Sequence, residues 1–318
     1  MTDGAQGLPR PFGPGPEFAA IRTMVERWGP RARDIGDDAA VLHIPRGDAL
    51  VVSVDEAVEG RHFRAEWLTA REIGYRSVTA ALSDLAAMAA HPLGILLALA
   101  LPDGWRGELN AIADGVGEAV TATNTLVLGG NIVCAGELGL TTTVLGSAFA
   151  PLRRSSAQPG DRIYVTGRLG GPGGAIASWS RGVVPSADLR DRFVHPTARL
   201  REARWLADRG AAAAIDISDG LAADLGHLLL ASGVGAEVEL GKVPLLTGVD
   251  DYLAAAASGE EFELVVTSPT EIDVTEFDRR FSLPLTEIGR VTDRGGEFAL
   301  LLHGKRVAKP AGYDHLSR

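Results

Sequence analysis

Residues 34–60, DIGDDAAVLHIPRGDALVVSVDEAVEG, set two acidic clusters around one apolar run. Asp37 and Asp38 follow Gly36 on a turn, and Asp55, Glu56 and Glu59 follow Ala49–Val54, where a buried-type strand ends. Carboxylates held together repel: at roughly 4 Å and an effective dielectric near 20, two unit charges cost about 4 kcal/mol. Lysine does not supply the counter-charge, because the chain holds only Lys242, Lys305 and Lys309, and no arginine stands within the four residues after Asp55. A hard divalent cation, which takes oxygen ligands and sits between carboxylates and phosphates, meets the need. For Asp37 and Asp38 an ordinary turn is the alternative, since Asp is common in turns.

The same theme recurs downstream. From about Arg71 to Ala90 the spacing of Ile73, Val78, Leu82, Leu85 and Met88 predicts a helix, and Asp84 lies in it among Ala80, Ala81, Ala87 and Met88. No side chain one turn away can neutralise that acid, so it either faces solvent or points at a cation held elsewhere in the fold. Leu93–Leu101 reads as a buried strand, Trp105–Ala122 as a helix, and Thr125–Leu128 as a strand running into Gly129, Gly130 and Asn131. Leu138–Leu145 resumes as strand. On the N-terminal side, Pro16 can open a helix carrying Phe18, Ile21, Met24, Val25 and Trp28 on one face.

The turn-rich segment Arg153–Asp161 marks a domain boundary, giving a tail over 1–16, a first domain over 17–150 and a second over 151–318. The second opens with the strand Arg162–Thr166 and the glycines 167, 170, 171, 173 and 174 before a helix from Ala175. Such a loop can present N–H groups to phosphate, but it lacks the G-x-G-x-x-G spacing and a Walker lysine, and a tight turn explains it equally well. Ala211–Ile215 leads into Asp216, Ser218, Asp219 and Gly220, then a helix to about Ala231. Ser218 or Asp219 alone reads as that helix's cap, while Asp216 one step back makes the turn a second acidic site. Strands follow at 236–240, 262–267 and 298–302, and Glu260, Glu261 and Glu263 give a third acidic turn. Strand and helix signals are mixed throughout, so the class is α/β or α+β.

Composition narrows the function. With 46% hydrophobic and 23% charged residues, the 318-residue chain has an ordinary globular make-up and room for two domains. A net charge of −10 argues against a nucleic-acid surface and makes any phosphate substrate depend on metal ions. Cys134 is the only cysteine, which excludes an internal disulfide and a thiolate metal site. Residues 1–16 lack an apolar signal-peptide core, and Leu93–Leu101 is too short to span a bilayer, so a cytoplasmic, non-membrane protein is expected.

Taken in order, Gly36–Ala40, Ser53–Asp55, Val58–Phe63, Leu82–Met88 (LSDLAAM), Pro159–Asp161, Asp216–Leu221 (DISDGL) and Gly312–His315 resemble the thiamine-monophosphate kinase family of the aminoimidazole ribonucleotide synthetase superfamily. The resemblance covers nearly the whole chain, and its LSDLAAM and DISDGL segments are the specific ones. It implies a two-domain protein: an N-terminal ATP- and magnesium-binding domain whose mixed sheet pairs with that of a second subunit in a homodimer, and a C-terminal α/β domain closing over the nucleotide. It further implies Mg²⁺ ions held by Asp38, Ser53, Asp55, Asp84, Asn131, Asp216 and Asp219. ATP would meet Gly130, Asn131, Arg154 and Ser218, and thiamine monophosphate would meet His62, Glu260 and Tyr313.

The expected reaction is direct in-line transfer of the γ-phosphoryl group of ATP to thiamine monophosphate, giving thiamine diphosphate. The acceptor phosphate is itself the nucleophile, so no catalytic Ser, Cys or His is needed, and the sequence offers no triad or nucleophile elbow. The chain departs from the family pattern at Asn131, where an Asp is usual with Arg soon after instead of Cys134. Ser156 stands for a usual Gly, and Glu261 for a usual Asp. Two alternatives stay open: another ATP-using enzyme of the superfamily with a different small acceptor, and a nucleotide-binding homologue without turnover.

Overall fold

The computed structural model describes residues 16–33, 35 and 39–313, so Asp37, Asp38 and the segment after Tyr313 lie outside the described residues. Two compact units divide the described chain: one runs through Leu85 and adds His91–Phe149, the other comprises Ala86–Ala90 and the residues from Ala150 onward.

The first unit contains α1 (Pro16–Trp28), β1 (Ala49–Val58), α2 (Ala70–Ala87), β2 (His91–Leu101), α3 (Leu109–Ala122), β3 (Val127–Cys134) and β4 (Gly139–Ala148). Its sheet runs β1-β4-β2-β3, with β2 and β3 parallel and the other pairings antiparallel. A parallel pair needs a crossover, and α3 supplies it. On β2 the alternation is plain: Ile95, Leu97, Leu99 and Leu101 are buried while Leu96 is exposed, so one face of the sheet is covered and the other is not. Helices α2 and α3 meet backbone to backbone: a Cβ on Gly74 would lie 2.2 Å from the Ile112 carbonyl oxygen, and one on Gly115 1.9 Å from that of Arg71. Trp28 Nε1 donates to the Ala113 carbonyl at 2.9 Å and ties α1 to α3.

Two expectations are corrected here. β1 is not a buried strand ending before Asp55. It runs on to Val58, and Leu50, Val52 and Val54 are exposed on the uncovered face. The helix expected from Trp105 begins instead as a 3-10 turn over Asp103–Glu108, where Gly104 and Gly107 weaken α-helix propensity, and becomes α-helical only at Leu109.

The second unit contains β5 (Arg162–Thr166), α4 (Gly171–Ser180), α5 (Ala187–Val194), α6 (Leu200–Ala207), β6 (Ala213–Asp216), α7 (Leu221–Ser232) and β7 (Gly235–Glu239). It continues with α8 (Tyr252–Ala256), β8 (Leu264–Ser268), α9 (Val274–Phe281), β9 (Leu285–Thr292), β10 (Phe298–Leu302) and β11 (Lys305–Val307). These strands form one sheet, β11-β10-β7-β9-β5-β8-β6, in which only β7 and β10 run parallel. Its core is built from residues such as Ile163, Val165, Ile215, Leu225, Val265 and Ile288. The mixed α/β class read from the sequence is what both units show. β8 starts at Leu264, not Phe262, because Glu260 and Phe262 adopt positive φ of 62° and 51°, which no strand accommodates. β9 and β11 carried no sequence expectation. Among the described residues no helix is long and apolar enough to cross a membrane.

Candidate active site

In the first unit, the Asp84 carboxylate on α2 accepts a short hydrogen bond from the Ser53 hydroxyl on β1. Asp84 is half-buried, so its polar partner comes from across the unit and not from its own helix. Asp55 lies two residues beyond Ser53, and strand alternation puts both on the same face. Its Oδ1 accepts the Glu56 N–H at 2.8 Å. His62 follows β1 in a turn, and its Nδ1 accepts the Val58 N–H at 3.1 Å. That bond makes Nε2 the proton-bearing nitrogen of the neutral ring.

Gly130 and Asn131 stand elsewhere in this unit. Asp55 shares a row with Thr142, Leu97 and Gly130, so β1 and β3 are the two outer strands, about 14 Å apart at normal strand spacing. Asn131 falls in the next row, with Ala98, Thr141 and Glu56, and alternation turns it to the opposite face from Asp55. Within one copy of this unit, Asn131 is not brought beside Asp55. Asp38 lies outside the described residues.

In the second unit the acidic turn after β6 is a meeting point. Asp216 ends the edge strand β6 and is buried. The Glu260 N–H donates to the Ser218 carbonyl at 2.7 Å, the Phe262 N–H to that of Ile217 at 2.9 Å, and the Tyr313 N–H to that of Asp219 at 3.1 Å. Sequence-predicted residues 216, 218, 219, 260 and 313 therefore share one locality although almost a hundred positions separate the first from the last. Gly220 has φ of 119°, and a Cβ there would press at 3.0–3.1 Å on the Ala256–Ala257 backbone, so the turn requires glycine.

Neither Ser218 nor Asp219 caps α7, which corrects the simple capping expectation. Among the described residues no side chain caps α7; instead Asp224, inside the helix, holds the turn before it, its Oδ2 accepting the N–H groups of Ser218, Asp219 and Gly220, each at 3.0 Å. Burial pushes the Asp224 carboxyl up to about 7; its bond from Asp219 N–H opposes this, and the Asp216 and Asp219 carboxylates add to it. Sequence reasoning missed Asp224, although an acid four residues into a helix behind a polar turn was a usable signal. Asp219, Asp224 and His227 offer ligand atoms within 4.8 Å of one another.

Arg154 is held apart from Ser218. Its carbonyl accepts the Ser232 hydroxyl at 2.6 Å at the far end of α7, and the 12 residues of that helix put its ends about 17 Å apart. No single phosphate reaches both backbones.

The glycine loop before α4 is not a phosphate cradle. Its Gly170 N–H donates to Glu261 Oε1 at 2.6 Å and its Gly173 N–H to Ser258 Oγ at 2.9 Å, so the chain's own side chains take these donors. Glu261 is fully buried; Ser258 Oγ also donates to Oε1 at 2.6 Å, while Oε2 has no hydrogen-bond partner among the described residues. Burial pushes this carboxyl up to about 7 despite Arg192, whose Nε lies 3.9 Å from it. Glu263, also buried, is held low against the cost of burial by Arg199 and Arg192, with Thr166 Oγ1 donating to it at 2.6 Å.

Comparison with known proteins follows the same division. Residues 36–148 match the N-terminal domain model of AIR synthase related proteins, and residues 158–301 match the C-terminal one. The chain is 35% identical to a thiamine-monophosphate kinase of Salmonella typhimurium, over 95% of this chain and 98% of the relative. The crystal structure of a thiamine-monophosphate kinase from Stenotrophomonas maltophilia K279a superposes with a TM-score of 0.81 at 34% identity, covering 92% of this chain and 98% of that one. The structure of AaThiL complexed with AMPPCP and TMP gives a TM-score of 0.75 at 28% identity, with 94% and 97% covered.

Proposed function

The chain belongs to the thiamine-monophosphate kinase family of AIR synthase related proteins and is a kinase, and on that premise we propose the reaction it performs. It transfers the γ-phosphoryl group of ATP in line to a terminal phosphate oxygen of thiamine monophosphate, giving thiamine diphosphate and ADP. The observation that carries this reading is the relative complexed with AMPPCP and TMP, which we read as a donor analogue and the acceptor bound together. The convergence of Ser218, Asp219, Glu260 and Tyr313 in the second unit supports it.

Both reactants are anions, and the protein carries a net charge of −10. The donors present fit magnesium, a hard cation: the Ser53 hydroxyl bonded to Asp84, Asp55 on the same face, and Asp216 with Asp219. Family likeness adds Asp38 to that set, and Asn131, which one copy does not bring beside Asp55, only as a ligand supplied by the second copy. When bound, magnesium screens the approach of the phosphates and stabilises charge on the transferring group.

The protein's own groups then bind and orient. Ser218, Arg154, Gly130 and Asn131 hold ATP, and the span between Ser218 and Arg154 along α7 suits an extended nucleotide. His62 presents an N–H at Nε2 to the acceptor phosphate, and Glu260 and Tyr313 orient the thiamine end. No side-chain nucleophile enters, because the acceptor phosphate oxygen attacks directly.

The reading includes a cytoplasmic homodimer. Leu50, Val52, Val54, Leu96 and Val133 lie exposed on the uncovered sheet face, and among the described residues β1 pairs only with β4. A second copy seated on that face removes the apolar surface from water.

Incubation with ATP, Mg²⁺ and thiamine monophosphate, followed by chromatography, should yield thiamine diphosphate and ADP in equal amounts. ADP released only with a different small acceptor would assign a sister chemistry. Nucleotide binding without turnover at any Mg²⁺ concentration would make the chain a non-catalytic homologue.

A further inference from the structure

We propose that Asp224 is a positioning residue of the phosphoryl-transfer site, holding the 216–220 turn, and through it Ser218, Asp219, Glu260 and Tyr313, from behind. Three successive N–H groups converge on its Oδ2 at 3.0 Å each, in a side chain that is almost wholly buried. Successive amides aimed at one point form an anion-binding nest. Here the chain fills the nest with its own carboxylate, so these donors are spent on shape and not on a phosphate.

Hydrogen bonds from N–H to carboxylate are the strong, charge-assisted kind, and three of them fix the orientation of three consecutive peptide units. The carbonyls of that same turn make the outward connections: Ser218 O takes the Glu260 N–H at 2.7 Å and Asp219 O takes the Tyr313 N–H at 3.1 Å. Rotating any of these peptides to relax the nest would break the links to the residues that meet substrate. The backbone on the other side of the contact is under strain, with Glu260 and Phe262 both in the left-handed region, so it does not hold that shape unaided. A helix cap would take the first N–H groups of α7 itself, whereas all three bonds here go to the turn that precedes it.

This inference rests on the proposed reaction for its kinetic consequence, but its structural half is measured independently. Wild type, Asp224→Ala and Asp224→Asn are compared by amide hydrogen exchange over 216–220, 259–263 and 312–313, and by steady-state kinetics with ATP, Mg²⁺ and thiamine monophosphate. Asp224→Ala should speed exchange in all three segments, raise the KM for thiamine monophosphate and lower kcat by about 100-fold, the scale of a 1 Å misplacement. Asp224→Asn keeps an acceptor oxygen at the same point and should recover kcat to within about tenfold of wild type, as expected when geometry and not charge is what matters.

A folded Asp224→Ala protein with wild-type kcat, KM and exchange overturns the proposal, as does an Asp224→Asn protein as impaired as the alanine variant. Should Asp224→Ala not fold, the similarly shaped Asp224→Leu, which also removes the acceptor oxygen, takes its place: faster exchange with a raised KM supports the proposal, and both unchanged overturns it. Absence of thiamine diphosphate from the wild type would instead refute the assigned reaction and leave the exchange measurement as the test of Asp224.

Discussion

Asp84 answers the question that the sequence raises about an acid with no neutralising side chain one turn away, and Asp216 stands at a second acidic turn. Asp84 finds the Ser53 hydroxyl, which offers a hydrogen bond but no positive charge, and Asp216 is buried at the end of β6 beside other carboxylates. Asp84→Asn and Asp216→Asn each remove the charge of a proposed magnesium ligand with little change of shape. Turnover should fall by about 100-fold or more in each, while the melting temperature moves by no more than about 3 °C. Steady-state kinetics beside a thermal melt checks this, and near-normal turnover would make the residue structural.

Glu261 gives a pH prediction at the same scale. Its folded pKa is raised from 4.5 to about 7, so the folded state holds a proton that the unfolded state has lost between those values. The stability this contributes is fully present below about 4.5 and is lost as pH rises through about 7. The melting temperature should therefore fall from pH 6 to pH 8, by roughly 2–4 °C for each kcal/mol. Glu261→Gln should flatten that slope, with Asp224 leaving part of it, and an unchanged slope would show that Glu261 does not titrate there.

At the scale of elements, the α2–α3 crossing fixes where Asp84 stands relative to β1, because the two helix backbones touch at Gly74 and Gly115. A Cβ on Gly115 would lie 1.9 Å from the Arg71 carbonyl oxygen, backbone that cannot swing aside. Gly115→Ala should cost about 1–3 kcal/mol by forcing the helices apart, outweighing alanine's better helix propensity. Urea unfolding measures it, and a stabilised variant would contradict the packing described. The N-terminus of α4 shows the opposite lesson. A strand, a glycine loop and a helix looked suited to phosphate, yet Glu261 and Ser258, some ninety residues on, already occupy the donors.

For the whole molecule, the uncovered face of the first unit's sheet is the feature that a single copy leaves unexplained. Val52→Glu puts a charge in the middle of the exposed apolar row Leu50, Val52 and Val54. Sedimentation should show a dimer for wild type and a monomer for the variant, and two species of equal mass would remove the pairing proposed for this face. The sequence by itself determined the class, the order of strands and helices in their main lines, and the residue types at the site, because apolar period and glycine or acid placement are local properties of the chain. LSDLAAM and DISDGL were legible without any structure. Only the tertiary structure decided which acids have partners. That Ser53 meets Asp84 and that Asn131 faces away from Asp55 both depend on register and crossing between segments distant in the chain. Such contacts are set by how faces pack, and no window of sequence contains both sides of one.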